Sequence, residues 1–174
     1  MRYYSMKEYD LNQLLNNPEK VQEIIKTLQQ KEILQVQKPD PSEIEGHLLK
    51  SRHNLRFCSQ TKPEFYDWTI TGCYYACYHA ALALILTRGY SSKNHLATLC
   101  ILISEFYKKD LNQEDLELFS QFLDYQDILF YVESKNKRET ASYSTKISFD
   151  PKEIEQLKLK ATLFVNKIEQ LLHT

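Results

Sequence analysis

Between Cys73 and Leu86 a helical run reads Cys-Tyr-Tyr-Ala-Cys-Tyr-His-Ala-Ala-Leu-Ala-Leu-Ile-Leu, so that nearly every side of the helix is apolar and the only strongly polar side chains are Tyr and His. A helix that is apolar all round has no face to offer water and must be wrapped by other elements. That requirement makes it the centre of a bundle. It also makes the tyrosines and histidines within it conspicuous, because packing alone needs neither.

The rest of the composition agrees with a helical core. At 174 residues with 43% hydrophobic content, the chain has enough apolar surface for one sizeable core. Three glycines, five prolines and the absence of Asn-Gly or Asp-Gly leave little of the turn chemistry that hairpins need. The expected fold is all-α, an up-and-down antiparallel bundle of about five helices with an extra amino-terminal helix.

Helix boundaries can be read from caps and breakers. Asn17-Pro18 places a capping side chain before a proline at the first helical position, and Val21, Ile24, Ile25 and Leu28 follow at helical spacing towards Leu34. Lys38-Pro39-Asp40-Pro41 must break that helix, since each proline removes an amide donor and extends its predecessor. Residues 1–41 are therefore expected to form a helical appendage with a linker, and residues 42–174 the bundle. Ser42 with Glu45 fits a capping box, with Ile44, Leu48, Leu55 and Cys58 as the inner face of the helix that Lys62-Pro63 ends.

The central helix is expected over about 65–88, closed by Gly89, with Ser91 or Ser92 starting the next one and Leu96, Leu99, Ile103 and Phe106 turned inward. Asn112 reads as the cap of a helix to about Glu133, striped by Leu116, Phe119, Phe122, Leu123 and Leu129. Residues 135–148 are polar and carry no stripe. Pro151 opens a final helix whose Ile154, Leu157, Ala161, Phe164, Ile168 and Leu171 keep helical spacing.

Charge and cysteine usage exclude several functions. The 22 basic and 23 acidic residues leave a net charge of −1, so no overall field attracts nucleic acid or anionic lipid, and any RNA contact needs a local patch. Cys58, Cys73, Cys77 and Cys100 lie in apolar helical sequence without Cys-x-x-Cys spacing and read as reduced core thiols. No repeated Glu-x-x-His pairs are present to build a bundle metal centre, and neither metal nor cofactor is expected. The opening MRYYSMKEYDLNQLL is charged where a secretory h-region would be apolar, and the longest apolar run, Ala80 to Thr87, is shorter than the ~20 residues of a membrane span. A soluble, cytoplasmic protein with no membrane association is the expectation.

The helix pair reading Tyr-Tyr-x-x-Tyr-His-Ala-Ala, then Arg-Gly and a turn, then Asn-His-x-x-x-Leu resembles the HEPN family. The later Arg138-Glu139-Thr140-Ala141-Ser142-Tyr143, followed by a helix ending Ala-Thr-Leu-Phe-Val-Asn-Lys-Ile, is similar to that family's closing segment. The resemblance covers roughly residues 44–172. It implies a bundle that commonly dimerises and occurs in prokaryotic two-gene modules beside a minimal nucleotidyltransferase. Some members are metal-independent ribonucleases with an Arg-x4-6-His motif, in which arginine steadies phosphate charge and histidine handles the attacking hydroxyl proton. Here Arg138 is followed at that spacing by Tyr143. A phenol that titrates near ~10 is a poor proton shuttle at neutral pH, so the departure favours binding over cleavage.

Three sets of candidate residues follow. Lys135, Lys137, Arg138 and Tyr143, with Lys146 and Tyr131, form a basic and aromatic cluster suited to RNA or nucleotide; its plain alternative is a solvated loop. Tyr78 and His79, with Tyr75 one turn before His79, could line a groove or could be satisfied core groups. Arg88 and His95 make an Arg-x6-His spacing across a turn and are a candidate catalytic pair, or else a helix-end arginine and a first-turn histidine. Arg52-His53 reads as a solvated or groove-edge pair. The expected function is RNA or nucleotide binding within a toxin–antitoxin or nucleotidyltransferase-associated module, as a homodimer. The alternatives are a dimeric helical interaction protein and an active ribonuclease using Arg88 or Arg138 with His95 or His79.

Overall fold

A computed structural model describes residues 10–129 and 149–173. Among them are seven α-helices and a single pair of three-residue strands, the all-α architecture expected from sequence. The elements are α1 (Leu11–Asn16), α2 (Pro18–Gln30), β1 (Leu34–Val36), α3 (Pro41–Gln60), α4 (Tyr66–Leu86), β2 (Tyr90–Ser92), α5 (His95–Ile101), α6 (Gln113–Leu129) and α7 (Pro151–Leu172).

Three of the helices begin with one device. Asn17-Pro18, Asp40-Pro41 and Asp150-Pro151 each put an oxygen-bearing side chain at the cap and a proline at the first helical position, and the cap accepts from Lys20, Ser42 and Lys152 backbone N–H respectively. The proline costs nothing there because its missing N–H would lack an intrahelical partner anyway. For α3 this corrects the expected start: Asp40, not Ser42, is the cap, and Ser42 supplies the amide.

α4 is the central helix, packed chiefly against α3 and α7, with α5 and α6 also in contact. By length and composition the helical stretch Pro63–Leu86 could cross a membrane, but 83% of its apolar window is buried within the bundle, as a core helix demands. The bundle's own helices cover most of α4. The large side chains left exposed near its start are Phe65 and Trp68, and Phe57 towards the end of α3 is exposed as well. Close approach of α3 to α4 is fixed by Ser51, buried on α3, whose hydroxyl donates to the Ala76 carbonyl at 2.7 Å. It is fixed again at Gly72, where a Cβ would stand 2.5 Å from Cys58 Sγ. The four cysteines are free and buried, and Cys73 Sγ lies 3.7 Å from Cys58 Sγ.

The amino-terminal helices are part of the same core. Leu14, Leu15, Val21, Ile24, Ile25 and Leu28 are buried in one cluster with α4, α5, α6 and α7 residues, which differs from the appendage expected of residues 1–41. α2 lies against α5 and the π-helical turn Leu102–Phe106, where Gln22 Nε2 donates to Ser104 Oγ at 2.8 Å.

The segment after α2 is held as well. β1 pairs antiparallel with β2, Leu34 opposite Ser92, and Gln37 N–H donates to Gly89 O at 2.8 Å. β2 occupies the place where the next helix was expected to begin at Ser91 or Ser92; α5 begins later, capped by Asn94, whose side chain accepts from Ala97 N–H. Gly89 adopts φ +77°, the left-handed conformation expected of a residue closing α4. Of the inward stripes read from sequence, Leu96, Leu99, Ile103, Phe106, Leu116, Phe119, Phe122, Ile154, Leu157, Ala161, Phe164 and Ile168 are buried, Ile103 and Phe106 in the π-helical turn after α5, while Leu171 is partly buried. The side chains of Leu123 and Leu129, and residues 135–148, lie outside the described residues.

Candidate functional site

Tyr74, Tyr75, Tyr78 and His79 fall on α4 at positions that make two adjacent stripes, since residues four apart share a helix face. Tyr74 and Tyr78 face α5 and α6. Their rings are 5.9 Å apart, and Tyr78 lies 4.3 Å from the His95 ring, centroid to centroid. The Tyr74 hydroxyl is 2.8 Å from His95 Nε2. His95 holds this place because Asn94 caps α5 and makes it the helix's first residue. Phe119 and Phe122 of α6 close the floor, within 6.4 Å of Tyr78 and 6.3 Å of Tyr74.

Tyr75 and His79 form the second stripe, turned towards α3. His79 meets His47, with the two Nδ1 atoms 2.9 Å apart and the ring centroids 5.1 Å apart. An Nδ1 to Nδ1 hydrogen bond needs one ring to donate and the other to accept. The pair therefore carries one Nε2 with a bare lone pair and one Nε2–H.

Burial sets the protonation of these groups. It lowers His79 to about 4, with help from neighbouring His47 and Lys50. It lowers His47 too, against a partial opposing pull from the Glu43 carboxylate. Both imidazoles are thus neutral at pH 7. Burial pushes Tyr78 up to about 12 and Tyr74 further still, so both phenols stay protonated and act as hydrogen-bond donors or stacking surfaces rather than bases. Tyr74 is fully buried, whereas Tyr75, Tyr78, His79, His95 and His47 are half-buried and keep an edge towards solvent.

The candidates read from sequence separate in space. Tyr78 and His95 come together, and His79 joins a histidine that sequence reading did not single out. Arg88 is exposed beyond the end of α4, with its guanidinium 5.5 Å over the Phe106 ring, while His95 faces Tyr74 and Tyr78. This is the arrangement of a helix-end arginine and a first-turn histidine, each with its own partner. Arg52 is held by Glu169 at 2.6 Å and Glu45 at 3.5 Å, tying α3 to α7. Lys135, Lys137, Arg138 and Tyr143 lie outside the described residues. Among the described residues no three His, Cys, Asp or Glu side chains converge on one point.

The fold and site together define an all-α bundle whose central helix carries a histidine–tyrosine cluster opening towards α3 and α5. No family model and no solved structure matches the chain. A protein of the archaeon Methanocaldococcus jannaschii named "Putative toxin MJ0142" is 33% identical over 109 residues, which are 63% of this chain and 67% of that protein. The chain belongs to the family of that archaeal protein.

Proposed function

We propose that this chain is a HEPN-type bundle serving as the toxin-side component of a prokaryotic toxin–antitoxin pair, and that it binds RNA or a nucleotide. Kinship with a protein named as a toxin supports the first half. The second half is carried by the half-buried Tyr78–His95 pair, 4.3 Å apart above a phenylalanine floor and next to the Tyr74 hydroxyl. Aromatic faces of this kind stack on bases at about 1–3 kcal/mol each, without regard to sequence. Arg138, Lys135 and Lys137 would supply phosphate contacts, Arg138 in the bidentate manner open to a guanidinium. In this reading the bundle pairs with a second copy of itself, and a minimal nucleotidyltransferase is its partner protein.

Fluorescence anisotropy with mixed-sequence RNA and with free nucleotides tests this reading. Arg138→Ala should weaken binding about tenfold, and Tyr143→Phe should weaken it less. Undiminished binding by Arg138→Ala combined with Tyr78→Ala would overturn it. Sedimentation equilibrium at micromolar protein should give twice the 20.6 kDa chain mass. A ribonuclease reading is favoured by one observation, the His47–His79 pair, which leaves one Nε2 lone pair bare and able to accept the proton of a 2'-hydroxyl. Rapid cleavage of RNA abolished by His47→Ala or His79→Ala would establish it in place of binding alone.

A further inference from the structure

Three of the four buried cysteines gather where α3 ends beside α4. Cys58 Sγ lies 3.7 Å from Cys73 Sγ, and Cys77 is one turn further along α4. Packing does not require this, since alanine or valine would fill the same core, and nothing in the nucleic-acid reading uses a thiol. We infer that Cys58 and Cys73 are a dithiol switch: a peroxide oxidises them to a disulfide that ties the end of α3 to α4, and thiols reduce it again. The switch is independent of whether the chain binds RNA.

Little movement is needed. The sulfurs must close by ~1.7 Å, from 3.7 Å to the ~2.0 Å of a disulfide bond, and Ser51 and Gly72 have already brought the two helices together. A Cβ at Gly72 would stand 2.5 Å from Cys58 Sγ, so that sulfur rests directly on the α4 backbone. The pair is also polarised. Cys73 donates its S–H to Cys58 Sγ, and Cys58 donates its own to the Thr69 carbonyl at 3.4 Å. The bond from Cys73 holds the Cys58 thiol below its usual range, with the Lys158 ammonium adding to it against the opposing effect of burial. That bond and burial push Cys73 up. Cys58 is therefore the first to react.

The chemistry balances. The Cys58 sulfur attacks one oxygen of hydrogen peroxide, an S–O bond forms as the O–O bond breaks, and the departing hydroxide leaves as water with the proton of that thiol. The Cys73 sulfur then attacks the sulfenic sulfur. The S–S bond forms, the S–O bond breaks, and the second hydroxide takes the Cys73 proton. One peroxide is reduced to two waters while two thiols are oxidised to one disulfide. Access comes from the helix end. Cys58 lies two residues before the last residue of α3, with Phe57, Ser59 and Gln60 exposed around it, and fraying of that turn admits a molecule the size of peroxide. Cys77, in the middle of α4, and Cys100, where α5 runs into the π-helical turn, have no helix end to open.

Treating the full chain with hydrogen peroxide at neutral pH, then alkylating it and mapping its peptides without reduction, tests the switch. Two of the four free thiols should disappear, a peptide linking Cys58 to Cys73 should take their place, and dithiothreitol should restore all four. Because the bond closes a loop of 15 residues, the unfolding midpoint of the oxidised protein should rise by roughly 9 °C and fall back on reduction. Cys58→Ser and Cys73→Ser should each abolish the linked peptide and the shift, whereas Cys100→Ser should keep both. Far-UV circular dichroism shows which variants are folded, and the peptide map of the unaltered protein decides the question even where one is not. Four free thiols after exposure, linkage of Cys58 to Cys77 or Cys100 instead, or sulfinic acid without a cross-link would overturn the inference.

Discussion

Leu28→Ala asks whether the amino-terminal helices belong to the cooperative unit. Leu28 is 1% exposed on α2, within the cluster that includes α4 and α5 residues. Removing three carbons from a fully buried leucine costs the lost transfer free energy plus that of the cavity left behind, about 3 kcal/mol in all. In a chain of this size each kcal/mol moves the midpoint by about 2–4 °C, so a fall of roughly 9 °C is expected. The assay is thermal unfolding followed by far-UV circular dichroism and by Trp68 fluorescence. Trp68 sits at the start of α4, so an effect transmitted from α2 registers in a distant helix. Both probes should shift together in one transition. Coincident midpoints within about 0.5 kcal/mol of the unaltered protein, or an early phase seen by circular dichroism alone, would show that α2 is a separate element whose burial contributes little to the bundle.

Other outcomes follow from particular residues. His79 titrates near 6.5 when unfolded and about 4 when folded, so its neutral burial contributes stability that is complete above pH 6.5 and lost as the pH falls towards 4. For a half-buried ring beside His47, Lys50 and Glu43, solvent screening reduces this to about 1–2 kcal/mol, and chemical denaturation of His79→Gln between pH 4 and 7 should show a slope shallower by that amount. Gly46→Ala should stabilise by about 1 kcal/mol, because it lies inside α3 with nothing within 4 Å of a new Cβ; a lower midpoint would contradict this. Gly89→Ala should destabilise by 2 kcal/mol or about that, since it combines φ +77° with a Cβ 2.7 Å from Gln37 O, and an unchanged midpoint would refute the strain argument.

Legibility in the sequence followed the range of the interaction. Caps and stripes depend on residues within one helix, and Asn17-Pro18, Gly89, Asn112 and the apolar rows of α2, α5 and α7 could be read directly. The cap of α3 is ambiguous in the sequence because Ser42 and Glu45 satisfy a capping box, while Pro41 at the first helical position promotes Asp40. β1 and β2 are three residues each, too short to show a period of two, and are stabilised by one another across the fold. His79 was legible as an oddity within an apolar helix. His47 was not, since its partner lies 32 positions away and their meeting depends on how α3 is rotated against α4. A histidine one place before buried Leu48, near the inward Ser51, is the only local signal that could have marked it.

The seating of α2 against α5 and the Leu102–Phe106 turn has a consequence during synthesis. Val21, Ile24, Ile25 and Leu28 leave the ribosome long before the residues that shelter them, and Phe106 follows Leu28 by 78 positions. At ~5–20 residues per second the apolar stripe of a nascent α2 waits about 4–16 s for its cover, and β1 waits about 3–11 s for β2. During that interval the amino terminus offers an amphipathic helix followed by an unpaired strand, the kind of segment that chaperones hold and neighbouring nascent chains adhere to.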